Sequence, residues 1–244
     1  ARDILHHIAN VHGAFPGKNL EWDGDAVAAM PMQGRFTLAT LSAELSAEFS
    51  LFRHDDILRK YLNGRASKGY EPVDPDPDAA YDEVIRIDIS KIEPLVVLPH
   101  KVAHNATEAN LLAETKIDQA FIGSCANGRI EDFEVAAEIM SGRQVAPGVR
   151  MIVTPGSQKV LQEALAKGYV ETLMSAGAVV TNSTCGACYG GHMGVLGDGE
   201  VCITASTRNF QGRMGSSEAE IYLGSPATVA ASAVRGFITD PRDL

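Results

Sequence analysis

Three of the four cysteines fall in two short, polar, glycine-rich stretches: Gly123-Ser124-Cys125-Ala126-Asn127-Gly128-Arg129 and Thr184-Cys185-Gly186-Ala187-Cys188-Tyr189-Gly190-Gly191. Thiolates are soft metal ligands, and glycine lets backbone approach a bulky inorganic centre at little steric cost, so these stretches fit a metal-cluster site. Three thiolates with no evident fourth would leave one iron of a [4Fe-4S] cube open to substrate. On the residues alone, Cys-x-x-Cys is also consistent with a redox pair, half of a zinc site or plain packing. A closed zinc site usually takes four protein ligands, and the remaining cysteine, Cys202, sits in an apolar run where it reads as a small hydrophobe.

Other residues carry chemistry less clearly. Arg208 and Arg213 are permanently charged, bidentate donors of the kind that grip a di- or tricarboxylate better than ammonium does. Read blandly, they are solubilising surface side chains. Glu44 and Glu48 stand four apart and would share one solvated helical face, although a carboxylate beside a Lewis-acidic metal can also accept or relay a proton. Ser124 and Asn127 flank Cys125 as hydrogen-bond donors or as turn residues. His192, His100 and His104 have no spacing that demands a metal and read as structural or surface groups.

The two cysteine segments resemble the cluster loops of the aconitase superfamily, particularly its branch of isopropylmalate and homoaconitate isomerase large subunits. The resemblance continues through Thr207-Arg208-Asn209-Phe210-Gln211-Gly212-Arg213 and upstream through Val149-Arg150-Met151-Ile152-Val153-Thr154-Pro155-Gly156-Ser157, and so covers most of the chain. It implies an α/β fold of two aconitase-like three-layer domains, with mostly parallel sheets covered by helices. Residues 1–82 would form the family's second domain and residues 83–244 its cluster-binding third domain.

The activity implied is that of a hydro-lyase, a dehydratase or isomerase acting on a hydroxy di- or tricarboxylic acid. Isopropylmalate is the first candidate substrate, with methylmalate-type and homoaconitate-type acids next. By the resemblance Cys125, Cys185 and Cys188 hold a [4Fe-4S] cluster, and Arg208 and Arg213 hold substrate carboxylates. Glu44, in Thr40-Leu41-Ser42-Ala43-Glu44, matches the Glu of the family's Asn-Met-x-x-Glu segment, which approaches the cluster-bound hydroxyl or water. A small swivelling-domain subunit, bringing a catalytic serine and further arginines, is the implied partner.

Two positions depart from the family pattern, Thr40 and Thr207 standing where Asn is usual. A shorter hydroxyl at both positions bears on substrate identity and on cluster occupancy. The family's N-terminal proton-shuttling motifs are not found in these 244 residues. The chain therefore reads as the middle two domains of a longer large subunit, with a cut or missing segment before Ala1, and is expected to be inactive alone. The readings from other classes are a zinc-binding or redox module and a cluster-free interaction domain without catalysis.

Composition narrows the field. With 21 Lys and Arg against 31 Asp and Glu, the formal net charge is −10, which disfavours a nucleic-acid partner that clustered basic side chains would have to bind. No apolar run approaches the roughly 20 residues needed to cross a bilayer, so no membrane partner is expected. Ala1-Arg2-Asp3-Ile4-Leu5-His6-His7 has no signal-peptide pattern, and four cysteines in a chain of this size do not make a disulfide scaffold. A reducing, cytoplasmic location is the expectation.

The elements that must position these residues follow from periodicity and punctuation. Helices are expected near Asp3–Val11, across Thr37–Phe52 and over Ile57–Leu62, with a short strand at Asn19–Trp22. Three prolines in Glu71-Pro72-Val73-Asp74-Pro75-Asp76-Pro77-Asp78 make that stretch a linker or exposed loop. Val84–Ile89 alternates as a strand would, and Leu95–Leu98 is a second short apolar run. A strand and helix rhythm follows: strands at Gln119–Ile122, Arg150–Thr154, Ala178–Thr181 and Val201–Thr204, and helices at Ile130–Met140 and Gln158–Ala166, the latter closed by Gly168. Ser225-Pro226 starts a last helix that reaches Val234, with Gly236 just past its end. Such alternation predicts a mostly parallel sheet whose strand ends carry the ligand loops, and both cysteine loops fall at strand ends.

Overall fold

The computed structural model describes residues 1–244. The chain begins with α1 (Arg2–His12), which buries Leu5, Ile8 and Ala9, spaced to share one helical face. It continues through β1 (Asn19–Trp22), α2 (Asp25–Ala29), α3 (Met32–Ser42), β2 (Phe49–Phe52) and α4 (Asp56–Leu62). Strands β1 and β2 pair in parallel as an isolated two-stranded sheet. Leu5, Ile8, Leu38, Leu41 and Leu45 form the core of this N-terminal lobe, and Ala126 from the distant Cys125 loop joins them.

Two expectations fail here. The helix predicted across Thr37–Phe52 stops at Ser42. A 3-10 turn over Ala43–Leu45 follows, Ser46 takes a left-handed φ of 60°, and residues 49–52 become β2. What redirects them is a non-local pairing: Phe52 stacks on Trp22, and the Trp22 indole donates to Ser50 Oγ at 2.7 Å. The strand predicted at Val84–Ile89 does not form, and only Ile89–Lys91 is regular, as a 3-10 turn. Ile87 packs on the N-terminal lobe, Tyr81 donates to Glu21, and Lys18 pairs with Asp82. The alternation therefore reflects a one-sided packing surface with no partner strand.

The second lobe is built from β3 (Leu95–Val97), β4 (Ala106–Glu108), β5 (Gln119–Ile122), α5 (Ser124–Asn127), α6 (Ile130–Met140), β6 (Arg150–Val153), α7 (Gln158–Ala166), α8 (Tyr169–Ser175), β7 (Val179–Val180), β8 (Val201–Thr204), β9 (Glu220–Leu223) and α9 (Pro226–Arg235). The sheet order is β4-β3-β9-β8-β5-β6-β7, parallel from β9 to β7 and antiparallel where β3 meets β4 and β9. All four residues of β5 are buried, as in a strand covered on both faces. Ala120 and Ile122 face a core shared with Phe133, Met140, Val229 and Ala233 of the helices. Phe121 faces a second core in which Ala187, Cys188 and Leu196 come from the irregular segment before β8 and Met214 from the one after it.

Helix ends follow the expected chemistry. Ser225 Oγ accepts from Thr228 N ahead of Pro226, and Gly236 closes α9 with φ 79°. Gly168 does close α7, but it also opens α8, which periodicity had not separated.

Candidate active site

The chain runs β5, β6, β7 to one side and then returns to lay β8 and β9 on the other side of β5. Chain direction thus switches at β5, the position in an open parallel sheet where a crevice opens beyond the carboxyl ends of the strands. Cys125 follows β5, Gly156 follows β6, Cys185 and Cys188 follow β7, and Thr207-Arg208 follows β8. These loops surround a cavity of about 500 Å³, closed from the N-terminal lobe by Thr40 and Glu44.

The Cys125 loop is tied down by side chains. Ser124 adopts φ 68° and leads into the single turn of α5, which leaves Cys125 exposed and buries Ser124 and Asn127. Asp132, in the first turn of α6, accepts from Arg129 N at 2.9 Å and from Asn127 Nδ2 at 3.0 Å. Burial pushes the Asp132 carboxyl up to about 6, against the pull of those two donors. Arg2 of α1 donates to Asn127 Oδ1 at 2.7 Å, to Ala205 O at 2.6 Å and to Ser206 O. The Arg129 guanidinium lies over Phe36 of α3, 4.3 Å from the ring centre.

The second loop is held differently. Cys185 is exposed at the start of a 3-10 turn over Gly186–Tyr189, and Cys188 is buried within it. Thr184 Oγ1 accepts from Gly186 N at 2.9 Å, and Arg213 Nε donates to Cys188 O at 2.9 Å. Arg208 lies opposite and donates its Nε to both oxygens of Glu44, at 2.8 and 2.9 Å. That contact joins the two lobes across the mouth of the cavity.

The six predicted site residues, Glu44, Cys125, Cys185, Cys188, Arg208 and Arg213, thus line one cavity. Thr40 and Thr207 line it as well. Glu48 is exposed outside it, and His104 is engaged with Asn10 O at 2.9 Å. His192 stands beside Tyr189. Cys202 is fully buried, and its thiol is pushed up to about 12 by that burial. Arg2 and Asp132 are the structural participants that motif reading passed over. Arg2 has no local signal, since its partners lie more than a hundred residues away. Asp132 had one, a carboxylate three residues after Arg129 at a helix start.

The donor set fits an iron-sulfur group. All four cysteines are free, and Ser124 Oγ, Ser183 Oγ and Ser206 Oγ are buried without a partner, each on the cavity wall or next to a residue of it. Buried hydroxyls normally find partners, so three orphans around three thiols mark room for a polar group. Gly128 lets the Cys125 loop pack against the end of β6: a Cβ there would stand 2.7 Å from Ser124 O and 2.8 Å from Thr154 O. No group of three or more His, Cys, Asp or Glu side chains converges as a single-ion site does, so the thiols ring a space and do not meet at a point.

The sequence matches the aconitase family (aconitate hydratase) over residues 1–109 and 100–236. The chain belongs to the aconitase family. It is 54% identical over 243 residues to the 3-isopropylmalate dehydratase large subunit of Mycolicibacterium smegmatis, covering 100% of this chain and 58% of that protein. The proteins of the same name from Aliarcobacter butzleri and Clostridioides difficile are 46% and 44% identical, each over 100% of this chain and 59% of the relative. The chain thus spans under two thirds of the length of these relatives. No helix is long and apolar enough to cross a membrane.

Proposed function

We propose that this chain is the cluster-bearing part of a hydro-lyase large subunit that dehydrates a hydroxy dicarboxylic or tricarboxylic acid, with isopropylmalate as the first candidate. The observation that carries the reading is the convergence of three free thiols, Arg208 and Glu44 on one cavity between the lobes. Cys125, Cys185 and Cys188 would hold a [4Fe-4S] cluster. When bound, that group supplies Lewis-acid activation of the hydroxyl that leaves.

The chain's own residues would take part as follows. Arg208 is half-exposed and gives only its Nε to Glu44, so its outer nitrogens remain to hold a substrate carboxylate in bidentate fashion. Glu44, with a side chain only 14% exposed, would hold or move a proton at its carboxylate oxygens. Arg213 braces Cys188 through its backbone carbonyl while lining the cavity, which gives it a supporting role alongside any contact with substrate. Thr40 and Thr207 border the cavity with short hydroxyls and would set which hydroxy acid fits. The names of the relatives denote large subunits, and a small subunit completing the site is the partner proposed. A cytoplasmic location fits four unpaired cysteines.

Anaerobic reconstitution with iron and sulfide tests the reading. A [4Fe-4S] EPR signal after reduction, lost on Cys125→Ala, Cys185→Ala or Cys188→Ala, is expected. Stoichiometric zinc uptake with no iron would replace this reading with that of a zinc module, and the absence of any metal uptake would leave a cluster-free domain.

A further inference from the structure

We infer that Arg2 is a positioning residue that clamps the Cys125 loop to the Thr207-Arg208 segment and keeps a buried positive charge behind the three cysteines. The charge part of the inference rests on the function proposed above, whereas the clamp does not.

Arg2 is 2% exposed, far more buried than an arginine usually is unless a carboxylate pairs with it. Its acceptors are all neutral: Asn127 Oδ1 on the Cys125 loop, and the carbonyls of Ala205 and Ser206 on the strand end that leads into Thr207. One planar guanidinium therefore reaches from the first lobe into two loops that are adjacent only because β5 and β8 are neighbours in the sheet. The polarity of the chain of contacts is fixed. Arg2 can only donate and ionised Asp132 can only accept, so Asn127 must turn its oxygen to Arg2 and its amide nitrogen to Asp132. This orientation locks the residue two positions after Cys125. A lysine, with a point charge on a flexible stem, lacks the fork that spans three acceptors in two loops.

The second observation is electrostatic. A buried cation without a hydrogen-bonded carboxylate is costly, and negative charge nearby must offset it. Desolvation lowers the Arg2 guanidinium to about 10, which leaves it charged at neutral pH, and its attractive partners at longer range are Asp3, Asp132, Cys188 and Glu44. Two of these four line the cavity. Three thiolates around an iron-sulfur core would carry a net negative charge, and Arg2, which already feels Cys188 and Glu44 of the cavity, is a buried cation that would offset it.

The test uses Arg2→Met, which removes fork and charge, and Arg2→Lys, which keeps the charge, both in the full chain. In metal-free protein, hydrogen-deuterium exchange of residues 124–129 and 205–209 should rise together by about tenfold in Arg2→Met, the equivalent of one or two lost hydrogen bonds. Residues 185–190 should be unaffected. Arg2→Lys should protect at most one of the two segments. If Arg2→Met does not fold, the same loosening in Arg2→Lys supports the clamp. A rise confined to α1, or to one segment in Arg2→Met, or none in either variant, overturns it.

In reconstituted protein, Arg2→Met should hold its cluster roughly 10–100-fold more weakly, the usual cost of losing an outer-shell partner. Its reduction potential should fall, while that of Arg2→Lys stays near the wild-type value. Equal potentials in all three proteins overturn the charge role. If the wild type takes up no iron, the proposed function falls and the charge role with it, and the exchange measurement still decides the clamp.

Discussion

The two cysteine loops reach the same cavity by opposite means. The loop of Cys125 is fastened by buried side chains, with Arg2, Asn127 and Asp132 hydrogen-bonded in series and Arg129 over Phe36. The loop of Cys185 and Cys188 is fastened mainly by backbone: its 3-10 turn folds against Met214, and Arg213 reaches only the Cys188 carbonyl and, at 3.7 Å, the Cys188 sulfur. A side-chain network of this kind fixes geometry before any ligand arrives, because Arg2, Asn127 and Asp132 hold one another in series, even though Ser124 Oγ and the Nε atoms of Arg2 and Arg129 have no partner. A backbone seat fixes position through shape, and fails when the shape is filled. The difference implies that the first loop is preformed, and that the second takes more of its order from whatever the thiols bind.

The backbone seat of the second loop is most sensitive at Gly190. Gly190 has φ 62°, and a Cβ there would lie 2.5 Å from the Met214 carbonyl carbon and 2.7 Å from its oxygen. Gly190→Ala combines a left-handed alanine with a backbone collision that no rotamer relieves, and should cost about 2–4 kcal/mol. Chemical denaturation would show it as a lower midpoint at unchanged slope. A loss below about 1 kcal/mol would mean that the seat is looser than the close packing implies.

A smaller effect should separate the loops by reactivity. Arg213→Gln removes the donor to Cys188 O, worth about 1–1.5 kcal/mol, so labelling of buried Cys188 by a thiol reagent should accelerate roughly tenfold in metal-free protein. Labelling of exposed Cys125 should not change. Equal acceleration of both would show that the two loops open as one unit and would remove the distinction drawn between them.

The first loop carries its own strain. Ser124 is one of three residues other than glycine with positive φ, and its hydroxyl is buried without a partner. Both features cost stability, so Ser124→Gly should raise that of the metal-free chain by about 0.5–1 kcal/mol. Iron retention after reconstitution should fall, because the hydroxyl would no longer face the bound group. A variant that is both more stable and better at holding iron would assign the strain no role.

How far all this could be read in advance depends on range. Helices α1, α6, α7 and α9 and strands β1, β5, β6 and β8 were legible because their periodicity, caps and flanking turns lie within a few residues. Residues 49–52 were not, because the Ala- and Glu-rich stretch before them carries a helical period and their pairing with β1 lies thirty residues away. Val84–Ile89 misled for a related reason, since packing against one surface writes the same alternation as a strand. At the site, the cysteines and arginines were legible as motif residues. Their contacts were not, since Arg2 meets Asn127 across 125 positions and Arg208 meets Glu44, itself a motif residue, across 164. A single sequence records which groups a site needs more readily than which distant groups hold them.

The smallest effect concerns pH and lies in two desolvated groups, His6 beside Arg2 on α1 and Asp132 at the Cys125 loop. His6, one turn after Arg2 on α1, is fully buried, and burial followed by the repulsion of Arg2 holds its imidazole well below the ordinary 6.5. It stays neutral when folded, whereas the unfolded chain takes up a proton below about 6.5, so its contribution is lost as pH falls. Asp132 works in the other direction. Its folded value of about 6 lies above the ordinary 3.8, so the folded state binds the proton first and gains stability as pH falls from about 6 toward 4. Between pH 7 and 6 each term stays under about 1 kcal/mol, and the two partly cancel. Replacing one at a time should separate them: His6→Leu should gain in melting temperature, relative to wild type, as pH falls from 7 to 6, and Asp132→Asn should lose. Asp3 and Arg2 face the same buried region and are common to all three proteins, so differences between the curves isolate the two groups. Three parallel curves would mean that neither group is as desolvated as its burial implies.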